Sequence, residues 1–146
     1  MSSKVEDFLS AREEAQVIEA IRKAEIKTSG EIRVHLESHC DGDACVRAQE
    51  IFHLLKMDNT KEENGTLFYV AVDDHKFAVI GDKGIHAHVG YEFWEETKEM
   101  MGSRFRESEF TTGLTTAIHH VGVQLAKHFP WDVQDVNELP DEISTS

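Results

Sequence analysis

Residues 67–80 read Leu67-Phe68-Tyr69-Val70-Ala71-Val72-Asp73-Asp74-His75-Lys76-Phe77-Ala78-Val79-Ile80, and this stretch decides the fold. The opening run is apolar throughout and rich in β-formers, which describes a strand covered on both faces and therefore central in a sheet. Asp73 and Asp74 end it. The pattern resumes at Phe77 after a few polar residues, a gap that suits a hairpin and is far too short for a parallel crossover. Two antiparallel strands are expected. Upstream, Glu31-Ile32-Arg33-Val34-His35-Leu36-Glu37 alternates strictly, the period-two mark of a strand with one buried face, with Glu31 and Arg33 on its solvent side. Between this strand and Leu67, the set Ala44, Ala48, Ile51, Phe52 and Leu55 fits a helix with Asp43 as its N-cap. That much chain permits a right-handed crossover, so the first two strands should be parallel and the sheet mixed.

The flanks complete the layers. Ser10 and Glu13 have capping-box spacing ahead of Val17, Ile18, Ile21 and Ala24, which predicts a helix over residues 11–26, broken by Thr28-Ser29-Gly30. After the strand ending at Ile80, Gly81-Asp82-Lys83-Gly84 reads as a turn, and Phe93, Trp94, Thr97, Met100, Met101 and Phe105 recur at helical spacing. Leu114, Ala117, Ile118, Val121 and Leu125 mark a last helix that begins after Thr111 or Thr112 and stops before Pro130. Helices on both sides of a small mixed sheet give a three-layer α/β/α sandwich, with residues 1–130 as a single domain. Residues 131–146 carry five acids and no Lys or Arg and read as an acidic C-terminal extension, on which Trp131, Val133, Val136 and Leu139 offer apolar docking points.

Composition narrows the function classes. Leu, Ile, Val and Phe number 37 of the 146 residues, above the roughly one-fifth level below which a highly charged chain tends to stay disordered. No apolar run approaches the roughly 20 residues that a bilayer crossing needs. Fifteen Lys plus Arg against 28 Asp plus Glu give a formal charge of −13. Such a surface repels phosphate backbones, so nucleic acid is not an expected partner, whereas divalent cations and basic proteins are attracted. Lys4, Glu6 and Asp7 stand where an export signal needs apolar residues, which points to a cytoplasmic protein, and Cys40 and Cys45 are then expected as free thiols.

Motifs with a fixed chemistry are missing: no phosphate-binding glycine loop, no G-x-S-x-G, no C-x-x-C and no H-E-x-x-H. The nine histidines are scattered, with His86 and His88 alternating and His119 and His120 side by side on a helix, so their side chains diverge. Carboxylates say more, because the expected topology sorts them onto two rims. Glu37, Asp73 and Asp74 gather at the carboxyl ends of the parallel strands, while Glu31 and Asp82 meet at the opposite rim, with Glu92 within reach. A hard divalent cation needs oxygens from separated segments, and these rims are where the sequence supplies them. Ligands of parallel sheets favour the first rim, although paired aspartates there also suit an ordinary hairpin turn.

Three stretches carry a resemblance: Ser29-Gly30-Glu31-Ile32-Arg33-Val34; Asn64-Gly65-Thr66 through Asp73-Asp74; and Phe77-Ala78-Val79-Ile80-Gly81-Asp82-Lys83-Gly84-Ile85. Phe93-Trp94, Phe110 with Gly113, Phe129-Pro130 and Asn137-Glu138-Leu139-Pro140-Asp141-Glu142-Ile143 continue it. In this order and spacing they resemble the TPM domain family, formerly a domain of unknown function, and in particular its stand-alone bacterial branch. The resemblance implies an α/β sandwich, divalent cations such as Ca2+ or Mg2+ as cofactor, and a phosphatase activity attributed to some members. It maps the family's glycine-glutamate element onto Gly30-Glu31 and its glycine turn onto Gly81 and Gly84, which raises the rim of Glu31 and Asp82 over its rival. Many relatives place an acid shortly after that turn, and here Glu92 is offset from it. The expected function is therefore divalent-cation binding through Glu31, Asp82 and Glu92, with metal-assisted hydrolysis of a phosphomonoester and Lys83 as a charge partner for it. The alternative is a non-catalytic module for protein interaction or complex assembly.

Overall fold

The computed structural model describes residues 8–131 and 143–145. In chain order the elements are α1 (Ala11–Glu25), β1 (Glu31–Glu37), α2 (Ala44–Leu54), a 3-10 turn (Met57–Asn59), β2 (Gly65–Ala71), β3 (Lys76–Gly81), α3 (Lys83–Arg106), α4 (Phe110–His128) and β4 (Ile143–Thr145). The sheet order is β3-β2-β1-β4. β1 and β2 pair in parallel from Glu31 opposite Gly65 to Glu37 opposite Ala71. β3 then returns antiparallel, with Thr66 opposite Gly81 and Ala71 opposite Lys76. Both chain directions agree with the reading of the hairpin and the crossover.

Alternation along the strands builds two cores. Ile32, Val34 and Leu36 of β1, Phe68 and Val70 of β2 and Val79 of β3 face α1, α3 and α4, and pack on Ile21, Trp94, Met101, Leu114, Ile118 and Leu125. The opposite faces of β2 and β3 present Leu67, Tyr69, Ala71 and Ala78 to Ala48, Ile51 and Phe52 of α2. The three layers follow from that division. Each fully buried Leu, Ile or Phe contributes about 2 kcal/mol from removal of its surface from water, so the layers hold by packing rather than by helix propensity.

Local chemistry sets the helix ends. Ser10 and Glu13 form the reciprocal capping box at α1, with Ser10 N to Glu13 Oε1 and Glu13 N to Ser10 Oγ both at 3.1 Å. Asp43 accepts from the amides of Cys45 and Val46 at the start of α2.

Four expectations need correction. The residues 82–84 are not a free turn: Asp82 is the N-cap of α3, which starts at Lys83 and kinks at Gly90, where φ is 77°. Only glycine takes that conformation without steric cost, so the kink sits at the residue that permits it. α4 begins at Phe110, ahead of the threonines. All seven residues of β1 are buried, including Glu31 and Arg33, because β1 lies inside the sheet. Its outer neighbour is β4, which pairs parallel to it with Val34 opposite Ile143 and Leu36 opposite Thr145. A piece of the acidic extension is thus the edge strand of the sheet. Val133, Val136, Leu139 and most of the last stretch of the resemblance lie outside the described residues.

Cys40 is buried and Cys45 exposed, and both are free thiols. Among the described residues no helix is long and apolar enough to cross a membrane.

Candidate functional site

The amino ends of the parallel strands bring two distant acids into one row. Glu31 opens β1 and stands opposite Gly65, which opens β2. On the other side of Gly65 the hairpin return places Asp82, whose amide donates to the Gly65 carbonyl at 2.9 Å. In a sheet, residues directly opposite one another share a face, so Glu31, Gly65 and Asp82 form one row with a side-chain-free position in its middle. Over that position a Cβ would find the Met57 carbonyl oxygen at 3.4 Å and the Phe52 ring at 3.5 Å. The row thus has a backbone oxygen above its centre.

The two carboxylates differ in setting. Glu31 is 2% exposed and borders a cleft of about 360 Å3 with Arg22, Glu25, Thr28, Gly30 and Trp131. Asp82 spends one oxygen on the helix: Oδ1 accepts from Lys83 N at 2.8 Å. Its Oδ2 is buried, and no donor reaches it among the described residues. Burial raises the Asp82 pKa above the ordinary aspartate value, and the negative charges of Glu63 and Asp58 push it the same way. A desolvated carboxylate with acids around it is a position that a cation relieves. Lys83 is exposed. Glu92 is exposed on α3 just past the Gly90 kink, beside Tyr91, whose ring meets His86 at 4.8 Å. Among the described residues no three His, Cys, Asp or Glu side chains come together as a group able to hold a metal.

The TPM domain family profile matches residues 3–124. The chain belongs to the TPM domain family. Its fold is similar to that of the BA42 protein from the psychrophilic bacterium Bizionia argentinensis, known from an NMR structure: 49% identity, TM-score 0.89, 99% of this chain and 100% of that one covered. The N-terminal domain of cg2496 from Corynebacterium glutamicum matches at 13% identity and TM-score 0.64, covering 80% of this chain and 74% of that one. The N-terminal domain of a P. gingivalis protein matches at 19% and 0.66, with 86% and 83% covered. These last two share the fold. No curated protein matches the chain.

At the opposite rim of this TPM domain the acids are mostly engaged with one another's neighbours. Arg47 grips Glu37 through Nε at 2.8 Å and Nη2 at 2.9 Å, and the Tyr69 hydroxyl donates to the same carboxylate. Burial, then that hydrogen bond, pushes the Tyr69 pKa up, while the bond to Glu37 holds Arg47 protonated. His39 lies between Asp73 at 3.5 Å and Asp74 at 3.2 Å. Asp74 also accepts from Cys40 N at 2.7 Å, and that bond lowers its pKa. Lys76 Nζ donates to the carbonyls of Cys40 and Gly42, both at 2.8 Å. Asp73 Oδ1 alone is buried without a donor there among the described residues. Hairpin turn and loop are tied together by these bonds, which is the structural role that paired aspartates suggested.

Sequence reasoning missed the Glu37–Arg47–Tyr69 cluster. Its signal was available: Arg47 stands four residues after the helix cap Asp43, and Tyr69 shares a face with Glu37 once the parallel register is known.

Proposed function

We propose that this TPM domain binds a divalent cation of the calcium or magnesium type at the rim of Glu31 and Asp82. The observation that carries the reading is the row Glu31-Gly65-Asp82, in which the Asp82 Oδ2 is buried without a donor among the described residues and lies near further acids. The donor set suits a hard cation, since every group in it is an oxygen. Two carboxylates and the Met57 carbonyl do not complete a shell, and calcium fills such shells with water and further backbone oxygens. Glu92, exposed on α3 past the Gly90 kink, is the third carboxylate of the proposed set.

Hydrolysis of a phosphomonoester is the finer reading. A bound cation supplies a Lewis acid that polarises phosphorus and lowers the pKa of water. The chain's own part is to hold the cation through Glu31 and Asp82 and to offer Lys83 as a neutralising charge at the phosphate. A non-catalytic interaction module is the second reading. It is favoured by Tyr91, an aromatic side chain 79% exposed beside the same rim, since exposed aromatics are energetically effective contacts with a protein partner.

Hydrolysis of p-nitrophenyl phosphate with EDTA, Mg2+ or Ca2+, run on the wild type and on Glu31→Ala with Asp82→Ala, tests both. Metal-dependent turnover lost in the double variant supports the phosphatase. Calorimetric metal binding with no turnover supports the module, and no binding in the wild type overturns the cation reading.

A further inference from the structure

A second cavity lies at the other end of the sheet, between the β2–β3 hairpin and the α3–α4 corner, with a volume of about 450 Å3. Its floor is aromatic. Phe77 meets Phe105 edge-on at 5.1 Å, Phe105 meets Phe110 at 5.5 Å, and Phe8 closes on Phe110 at 4.5 Å. Gly102 opens the space: a Cβ there would stand 3.1 Å from the Phe77 ring and 3.3 Å from Arg106 Nη1. The mouth is basic. Arg106 and His75 border the cavity, its described lining contains no carboxylate, and Lys76, which also lines it, turns its Nζ away to the carbonyls of Cys40 and Gly42. In a chain with nearly twice as many acids as bases, a lining without a carboxylate is a local inversion of sign. Lys98 adds a further positive charge, 5.8 Å over the Phe77 ring. Of the acids nearby, Glu99 accepts from Arg106 Nη2 at 3.1 Å in an exposed pair, and Glu109 accepts from Arg104 Nη1 at 3.3 Å. A guanidinium has five N–H donors, so Arg106 keeps donors beyond the bond it makes.

We infer that this cavity binds a small amphipathic anion, with an aromatic or short aliphatic body against Phe77, Phe105 and Phe110 and a carboxylate or sulfonate head at Arg106. An apolar pocket with a few convergent charges at its entrance is the ordinary form of such a site. The head gains charge-assisted hydrogen bonds and the body gains apolar burial, so neither part alone binds as well. The site is separate from the rim of Glu31 and Asp82 and does not depend on a cation.

The test titrates the intact chain with 1-anilinonaphthalene-8-sulfonate and with its uncharged counterpart N-phenyl-1-naphthylamine, by fluorescence and by backbone NMR shifts. Arg106→Glu should weaken the sulfonate about tenfold, the loss of one charge-assisted contact, and leave the neutral probe unchanged. Gly102→Leu, which fills the cavity, should abolish both. Wild-type shifts should fall on residues 70–77 and 102–110. Equal loss of both probes in Arg106→Glu, unchanged sulfonate binding in that variant, or shifts elsewhere would overturn the inference. Arg106 is exposed, so its substitution keeps the test valid even where Gly102→Leu fails to fold.

Discussion

Asp82→Asn and Asp82→Ala separate two tasks of one carboxylate. Oδ1 caps α3 through Lys83 N at 2.8 Å, while Oδ2 is buried with no donor among the described residues. Asn and Asp are equally good N-caps, whereas Ala loses about 1 kcal/mol. Asn also removes a charge that burial disfavours. The sign with pH follows from linkage. The folded pKa of Asp82 is raised, so the folded state holds its proton longer than the unfolded chain does. The stability this contributes is complete below the unfolded aspartate value and is lost as pH rises through the folded one. At pH 7 in EDTA the Asn variant should therefore melt at or above the wild type, the gap closing as the pH falls below the ordinary aspartate range. The Ala variant should melt about 3 °C below the Asn variant, given about 1 kcal/mol and a chain of this size. On the proposed cation site, calcium at a hundredfold its Kd should stabilise the wild type by about 2.7 kcal/mol, or roughly 8 °C. Neither variant should show that gain in full. Thermal unfolding followed by circular dichroism reads all of this. An Asn variant several degrees below the wild type in EDTA, or one with an undiminished calcium shift, refutes the account of Asp82.

Three further outcomes are expected. Arg47→Ala leaves the buried Glu37 carboxylate without its two guanidinium donors, and urea unfolding should show a loss of about 3 kcal/mol. Gly84→Ala brings a methyl carbon to 2.2 Å from the Glu62 carbonyl and 2.6 Å from that of Glu63; these are backbone atoms, so the start of α3 must shift at a cost of about 2 kcal/mol, readable as a lower Tm. His35, whose pKa burial pushes down to about 4, should titrate near that value by NMR. Because its folded pKa is depressed, the unfolded chain takes the proton first, and stability should fall from about pH 6.5 down to about pH 4.

Chain direction was the most legible part of the fold. The Asp73-Asp74 gap permits only a hairpin, and the stretch between Glu37 and Leu67 permits a crossover, so the parallel and antiparallel directions follow from spacing, while the register that sets Glu31 opposite Gly65 and Thr66 opposite Gly81 comes from the structure. The row of Glu31 and Asp82 was legible for the same reason. Burial of β1 was not, because its alternation of charged and apolar residues is that of a strand with one wet face. What buries the polar face is tertiary: Arg47 and Tyr69 close over Glu37, and Ser144 of β4 bonds His35 Nδ1 at 2.8 Å. β4 itself has three residues, one of them strongly apolar, too few for any period to register. The first turns of α3 were hidden by Gly84, which read as part of a turn. Ile85 and Val89, four apart on the core side, were the available signal.

The central claim is that the returning hairpin completes a cation site with the first strand. Calcium titration followed by backbone amide shifts tests it most directly. The account predicts saturable changes at Glu31, Gly65, Asp82 and Lys83, absent in Glu31→Ala with Asp82→Ala. Changes confined to Asp73, Asp74 and residues 37–43, or none at millimolar calcium, would contradict it.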